Sequence, residues 1–367
     1  MRSRKASLHA RVNGNLSLRF TAKGLTSFSG LELFGRYLKR IRFGVRLRKC
    51  LRSNDPAGDF SSASLVGLVV AMIVVGARRL RHLQYLVGDP IVLRVAGLSV
   101  LPSERTVARW LGRCTLAIRE TLLRFMGELI VDSVRPLRLR RITLDVDGTV
   151  CSTGMHVERA FRGYNPHRRK VPSYYPITAH LAQTGHVLRV RNRSGNVHDG
   201  KASISFLRDL VAQARETLWP GILEFRLDGA FFRKDIVAFL DRHAEYAIKV
   251  PFYRWVGLKA LIQRRRRWRH IRPGHDAFEA EVELPTWKKT LRVVIYRKKV
   301  RHKSPKNYQL DLFDPTNGHW EYSAITTNKT LKPKALWDFM AGRGMHEKIL
   351  AEIKTGYAFA TIPTLNY

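Results

Sequence analysis

Acidic residues are scarce in this sequence. Only 29 Asp and Glu stand against 66 Lys and Arg in 367 residues, a formal net charge of +37. Cysteine is sparser still. Cys50, Cys114 and Cys151 are odd in number and lack metal-ligand spacing, which excludes a disulfide-stapled scaffold and fits a reducing cytoplasm. No apolar run is long enough to span a bilayer. The best candidate, residues 65–77, falls short of the roughly 20 residues required and reads as a buried helix. No apolar stretch follows the basic N-terminus, so no signal peptide is expected. No internal repeat stands out. Among the 13 histidines, His156, His167, His180 and His198 flank the expected strands, yet no pair has helical metal-ligand spacing and none is assigned to a metal. His346 is expected to face away from its neighbour Glu347 on a helix.

What the chain does have is apolar content and positive charge. A hydrophobic fraction of 45% excludes a disordered basic tail, and the length allows two or three domains. A charge of +37 opposes compaction unless a polyanion neutralises it, and nucleic acid is the obvious candidate. A ribosomal-type structural RNA binder is the plain alternative on charge alone.

Residues 1–130 read as a helical DNA-binding region. The first fifty residues hold thirteen Lys or Arg and one acid, Glu32. Asn54, Asp55, Pro56 and Gly58 make a break, after which Ser61 and Ser62 can cap an apolar helix. Pro102-Ser103-Glu104 opens another helix. On it Val107, Leu111, Cys114 and Ile118 recur on one side, while Arg105, Arg109 and Arg113 form a basic row. That row suits a helix lying in a DNA groove or a solvated face. Arg135-Pro136 marks a boundary. Residues 135–250 then alternate strands (141–150, 174–183, 187–193, 221–227, 246–250) with helices that open at Asp199-Gly200 and at residue 234, a mixed α/β order. Residues 251–330 change character. A basic run, Arg264, Arg265, Arg266, Arg267, Trp268 and Arg269, precedes strands at 278–284, 291–296, 308–313 and 319–326, expected as a separate β-rich insertion. Residues 331–367 carry a final helix from Pro333 to about Lys354, interrupted near Gly342 and Gly344.

The most informative stretch is Leu144-Asp145-Val146-Asp147-Gly148-Thr149. It reads as a strand running into a turn, with both carboxylates on one face. Two like charges so close invite a divalent cation or proton transfer. A strand followed by Asp-X-Asp-Gly-Thr resembles the first motif of haloacid-dehalogenase-type phosphatases. That resemblance implies Asp145 as nucleophile and Asp147 as acid/base. The later acidic pair of that family is poorly matched by Asp228 and Asp235, and the charge has no role there.

A second resemblance covers about residues 20–367. Asp147 and Asp228 each end a strand. A β-rich segment then separates them from Arg343-Gly344-Met345-His346-Glu347 and Lys354, where Arg343 and Glu347 are one helical turn apart. Gly163-Tyr164-Asn165-Pro166-His167, Tyr175-Pro176, Thr184-Gly185, Gly195-Asn196-Val197, Arg226-Leu227-Asp228-Gly229-Ala230-Phe231 and Gly356-Tyr357-Ala358-Phe359 follow in order. Together they resemble DDE-type insertion-sequence transposases of the branch with a β-strand insertion and a Tyr-x2-Arg-x3-Glu-x6-Lys signature.

The resemblance implies a ribonuclease H-like mixed sheet interrupted by the insertion. It implies Asp147, Asp228 and Glu347 as catalytic carboxylates holding two Mg²⁺ or Mn²⁺ ions, with Asp145 as the alternative first carboxylate. Arg343 and Lys354 would contact DNA phosphates. Arg105 and Arg109 would track double-stranded DNA, Arg264–Arg267 would do the same or form a solvated charge run, and Trp268, Trp287 or Trp320 would stack on a base or pack in the core. Transposon ends would be cut and their 3′-hydroxyls joined to target DNA by a homodimer in the bacterial cytoplasm, near the nucleoid and without a membrane. Met340 stands at the signature Tyr position. That departure and the short C-terminal segment raise the expectation of impaired chemistry, or of a decayed product that still binds DNA.

Overall fold

The computed structural model describes residues 25–53, 55, 56, 58–153, 157–163, 165, 168–197, 200, 203–218, 221–300 and 320–361. The chain divides into two compact units, Met1–Ile118 and Arg119–Tyr367. Among the residues singled out above, Asn54, His156, Tyr164, Pro166, His167, His198, Asp199, the expected strand at 308–313 and residue 319 lie outside the described residues.

The first unit is helical. It contains α1 (Gly30–Arg40), α2 (Phe43–Leu51), α3 (Ser62–Val74), a 3-10 turn (Leu80–Leu86), α4 (Pro90–Ala96) and α5 (Glu104–Arg113). Capping side chains set the starts of three of these helices. Ser61 accepts from the Ser64 amide, Asp89 from those of Ile91 and Val92, and Ser103 from that of Thr106. The apolar run is α3. Its Leu65, Leu68 and Met72 are buried with Leu31, Leu83, Leu86, Val92, Val107 and Trp110, and burying each large side chain is worth about 1.5–3 kcal/mol. The Trp110 indole donates to Ser62 Oγ at 2.8 Å. None of the described helices is long and apolar enough to cross a membrane.

The apolar stripe expected on one helix is split. Helix α5 ends at Arg113, and Val107 and Trp110 are its buried residues. Ile118 belongs to α6 (Leu116–Val134). Thr115 makes the restart, its hydroxyl accepting from the Ile118 amide at 3.4 Å.

Among the described residues the second unit is built on one nine-stranded sheet. In chain order it runs β1 (Arg141–Gly148), β2 (Cys151–Ser152), β3 (Ser173–Tyr174), β4 (Ile177–Leu181), β5 (Val187–Arg191), α7 (Ser203–Leu218), β6 (Ile222–Leu227), α8 (Lys234–His243), β7 (Glu245–Lys249), α9 (Leu258–Arg264), β8 (Arg269–Arg272), β9 (His275–Leu284), β10 (Lys289–Lys299), β11 (Trp320–Thr327), α10 (Pro333–Ala341) and α11 (Gly344–Thr355). The spatial order is β5-β4-β1-β6-β7-β11-β10-β9-β8, with β2 and β3 forming a separate pair. Strands β1, β4 and β5 make an antiparallel meander, and β6 and β7 run parallel to β1. The segment expected at 174–183 as one strand is broken at Tyr175-Pro176. Pro176 has no amide to donate to a ladder, and its carbonyl accepts from Thr149 N at 2.9 Å.

The β-rich segment forms no sheet of its own. Strand β11 pairs antiparallel with β7, so β8–β11 extend the same sheet. The arginine run is the end of α9 and the approach to β8.

The two faces of this sheet differ sharply. Alternate residues of β1 and β6 (Ile142, Leu144, Val146, Leu223, Phe225 and Leu227) form an apolar core with Phe206, Leu210, Ile236 and Leu240 of α7 and α8. The opposite parity puts Thr143, Asp145, Asp147, Glu224 and Arg226 on the second face. Farther along that face the cluster turns apolar, with Ala247, Val294, Tyr296 and Ile325 packed against Leu336 and Met340 of α10. Met340, at the signature Tyr position, is therefore a buried core residue, 6% exposed.

Candidate catalytic site

The polar face leads to the candidate site. Parallel pairing sets Asp145 against Arg226. Two residues farther along, Asp147 and Asp228 stand at the carboxyl ends of neighbouring parallel strands. Open α/β sheets place ligands at such strand ends. Asp228 has extended backbone, and its carboxylate accepts from the Ala230 amide at 3.0 Å, capping the 3-10 turn Gly229–Phe231. Asp147 accepts from the Gly148 amide at 2.9 Å. Its other oxygen lies 2.7 Å from Nη2 of Arg343, with the Asp147 side chain 18% exposed. Arg343 is the N-cap residue immediately before α11.

Glu347 lies in the first turn of α11, one helical turn past Arg343, and is exposed. Its neighbour His346 is buried and faces the sheet. The His346 ring packs 4.1 Å from that of His180, and its Nε2 is 3.4 Å from the Thr178 hydroxyl. Thr178 is the cross-strand partner of Asp147. The turn bearing Glu347 thus docks on the rung that holds Asp147. Among the described residues no three His, Cys, Asp or Glu side chains are grouped closely enough to hold a metal. A guanidinium occupies the position of a cation beside Asp147.

One rung earlier the chemistry is different. Asp145 is fully buried and accepts two hydrogen bonds from Arg226, both 2.6 Å. His180 Nε2 is 3.6 Å away. A carboxylate sealed in this way is inaccessible as a phosphatase nucleophile. Burial lowers the His180 pKa, Asp145 opposes that shift, and Arg226 and Arg343 add to it. For His346, burial first, then His180, Arg343 and Arg226, push the pKa down to about 2. Both rings are therefore neutral at physiological pH, and neither adds charge beside the carboxylates.

The same face continues away from the site as an ionic network with Glu224 and Lys329 buried at its centre. Glu224 accepts from Thr143, Arg141 and Lys329, each at 2.6 Å. Glu245 joins Arg141 at 2.6 Å and also Lys329. Charges on a covered sheet face persist only when paired.

The expected DNA contacts are dispersed. Lys354 is in the last turn of α11, close enough to Cys151 to oppose the rise that burial gives that thiol's pKa, to about 11. Arg105 and Arg109 are exposed on α5, and Arg264 to Arg267 are exposed after α9. Trp268 is partly buried and packs edge-on to Phe278 at 4.7 Å. Arg297 lies between the rings of Trp268 and Trp320, at 4.5 and 4.2 Å. Trp287 packs on Phe232 at 4.8 Å and on Trp255 at 5.6 Å. Each of the three candidate tryptophans therefore has a packing role. Sequence reasoning passed over the stacked pair Tyr253 and Trp255, 49% and 48% exposed. Their signal was the aromatic density of Phe252-Tyr253-Arg254-Trp255 directly after a strand.

A protein family described as transposase DDE domain, group 1, matches residues 8–366. The chain belongs to that family. Membership in the DDE transposase family sets aside the phosphatase reading. No curated protein matches the chain. Seven solved chains match. One is a piggyBac transposase in a cryo-EM synaptic complex with hairpin DNA, at 11% identity and a TM-score of 0.44. The match covers 82% of this family member, which spans 61% of the piggyBac chain.

Proposed function

We propose that this DDE family member is an insertion-sequence transposase that cuts transposon ends and joins their 3′-hydroxyls to target DNA. What supports the reading is that Asp147 and Asp228 end neighbouring parallel strands and that His346, beside Glu347, packs on the cross-strand partner of Asp147. Three antiparallel strands followed by two parallel ones, β5-β4-β1-β6-β7, support a ribonuclease H-like core, with β8–β11 as its insertion.

Asp147, Asp228 and Glu347 are the proposed catalytic residues and the proposed ligands of two Mg²⁺ or Mn²⁺ ions. All three offer carboxylate oxygens, the donors these cations take, and Arg343 already balances Asp147 as a cation would. When bound, such ions supply an activated water and charge stabilisation for the departing oxygen. Arg343 and Lys354 on α11 would grip the scissile strand's phosphates. Arg343 suits this role because its fork can leave a carboxylate for a phosphate without changing its own charge. Exposed Arg105, Arg109 and Arg264–Arg267 would neutralise flanking phosphates, and Trp268 would stiffen the base of that basic segment. A homodimer on paired ends, in the bacterial cytoplasm near the nucleoid, completes the reading.

The test is cleavage of end-containing duplex DNA with Mg²⁺. Asp147→Asn, Asp228→Asn and Glu347→Gln are each expected to reduce product to background while folding and DNA binding persist. Products unchanged by all three substitutions would refute the mechanism.

A further inference from the structure

We infer that Arg226 is a positioning residue that fixes the Glu347-bearing helix against the two strand-end aspartates, and that Gly342 exists to admit it. This rests on the transposase reading. One guanidinium makes three connections. Its Nε and Nη2 donate to Asp145 at 2.6 Å, locking β6 to β1 one rung before Asp228 and Asp147. Its Nη1 donates to the carbonyl of Phe339 at 2.9 Å, in the last turn of α10. The chain then passes Gly342 and enters α11 through Arg343.

Gly342 shows what this costs in space. A Cβ there would lie 2.1 Å from Arg226 Nη1 and 3.2 Å from its Cζ. The backbone of Gly342 is ordinary right-handed helix, φ −57° and ψ −20°, so conformation does not demand glycine. The nearby arginine does. That arginine is 7% exposed and Asp145 is fully buried, so the clash cannot be relieved by swinging into solvent. The pair of aspartates and the glutamate are thus referenced to one side chain that touches none of them. Asp145 also gains a role: it holds the strut.

The test uses the full chain with Arg226→Lys, Gly342→Ala and the double variant, reading DNA affinity, Mn²⁺ affinity, melting temperature and cleavage rate. An ångström-scale misplacement of reacting groups costs about 100-fold in rate. Each single variant is expected to slow cleavage by about that factor and to weaken Mn²⁺ binding, with DNA affinity within about twofold. Lysine has no fork to meet the new methyl, so the double variant is expected to match Arg226→Lys alone. Gly342→Ala keeps the buried charges paired and carries the test if Arg226→Lys does not fold. The inference is overturned if Gly342→Ala lowers only the melting temperature, or if the two losses multiply in the double variant. A wild type that cuts nothing would overturn the transposase reading and the positioning role together. Failure of the inference alone shows as an active wild type with an equally active Gly342→Ala.

Discussion

Replacing Lys329 with Met tests how the charged face of the sheet is held. Lys329 is 6% exposed and Glu224 3% exposed, and their pair at 2.6 Å is cut off from water. Removing one partner of a buried pair costs about 3–5 kcal/mol because the other charge is stranded. Here Glu224 keeps Arg141 and Thr143, both at 2.6 Å, so about 3 kcal/mol is expected. Arg141 is 44% exposed and screened by solvent, so it does not replace the lysine. Removing both buried charges with Lys329→Met and Glu224→Gln should cost about 1 kcal/mol, since the charges that lose a partner, Arg141 and Glu245, keep each other at 2.6 Å and are partly solvated. Urea unfolding followed by tryptophan fluorescence reads the second unit, which holds six of the seven tryptophans. The same network has a pH signature. Burial would raise the Glu245 pKa, but hydrogen bonds from Lys329 and Arg141 outweigh it and hold the carboxyl below its ordinary value of 4.5. A lowered folded pKa stabilises fully above pH 4.5 and is lost as pH falls through the folded value. Lys329→Met should flatten that acid limb. The reasoning fails if the single variant costs under about 1 kcal/mol, or if the double variant costs as much as the single.

Two further outcomes follow from the site. Arg343→Gln removes the charge that competes with cations at Asp147, so Mn²⁺ affinity measured by calorimetry should rise about tenfold, while DNA binding weakens. An unchanged Mn²⁺ affinity would contradict the pairing. His346 is neutral in the fold, with a pKa held near 2 against an ordinary 6.5. Its contribution is therefore complete above pH 6.5 and lost as pH falls, by about 1.2 kcal/mol between pH 7 and 5.5. His346→Phe should lower that slope in denaturant titrations, and an unaltered slope would exclude His346 as its source.

Much of the strand framework was legible because period-two alternation survives local noise. Strand β1, expected at 141–150, is Arg141–Gly148, and β6, expected at 221–227, is Ile222–Leu227. Asp147 and Asp228 could be read as strand-end carboxylates because each precedes a glycine. The strut could not be read. Arg226 meets Asp145 across 81 residues and Phe339 across 113, and nothing local marks an arginine inside an apolar strand as bridging. The continuity of the sheet was equally hidden. Pairing between β7 and β11 closes over residues 250–319, and alternation gives a strand's existence but not its neighbour. The break between α5 and α6 was readable in principle, since Thr115 is a good cap, but the apolar spacing ran through it.

Among the described residues the sheet ends in β5 on one side and β8 on the other. Both of those edges carry arginine: Arg189 and Arg191 on β5, where Asp209 of α7 pairs with both, and Arg269 and Arg272 on β8, where Arg269 is exposed. Exposed edges are templates for pairing with another copy, and cations along them oppose it. The exposed charge of Arg269 thus has a colloidal use at the β8 edge, opposing end-to-end addition of further molecules.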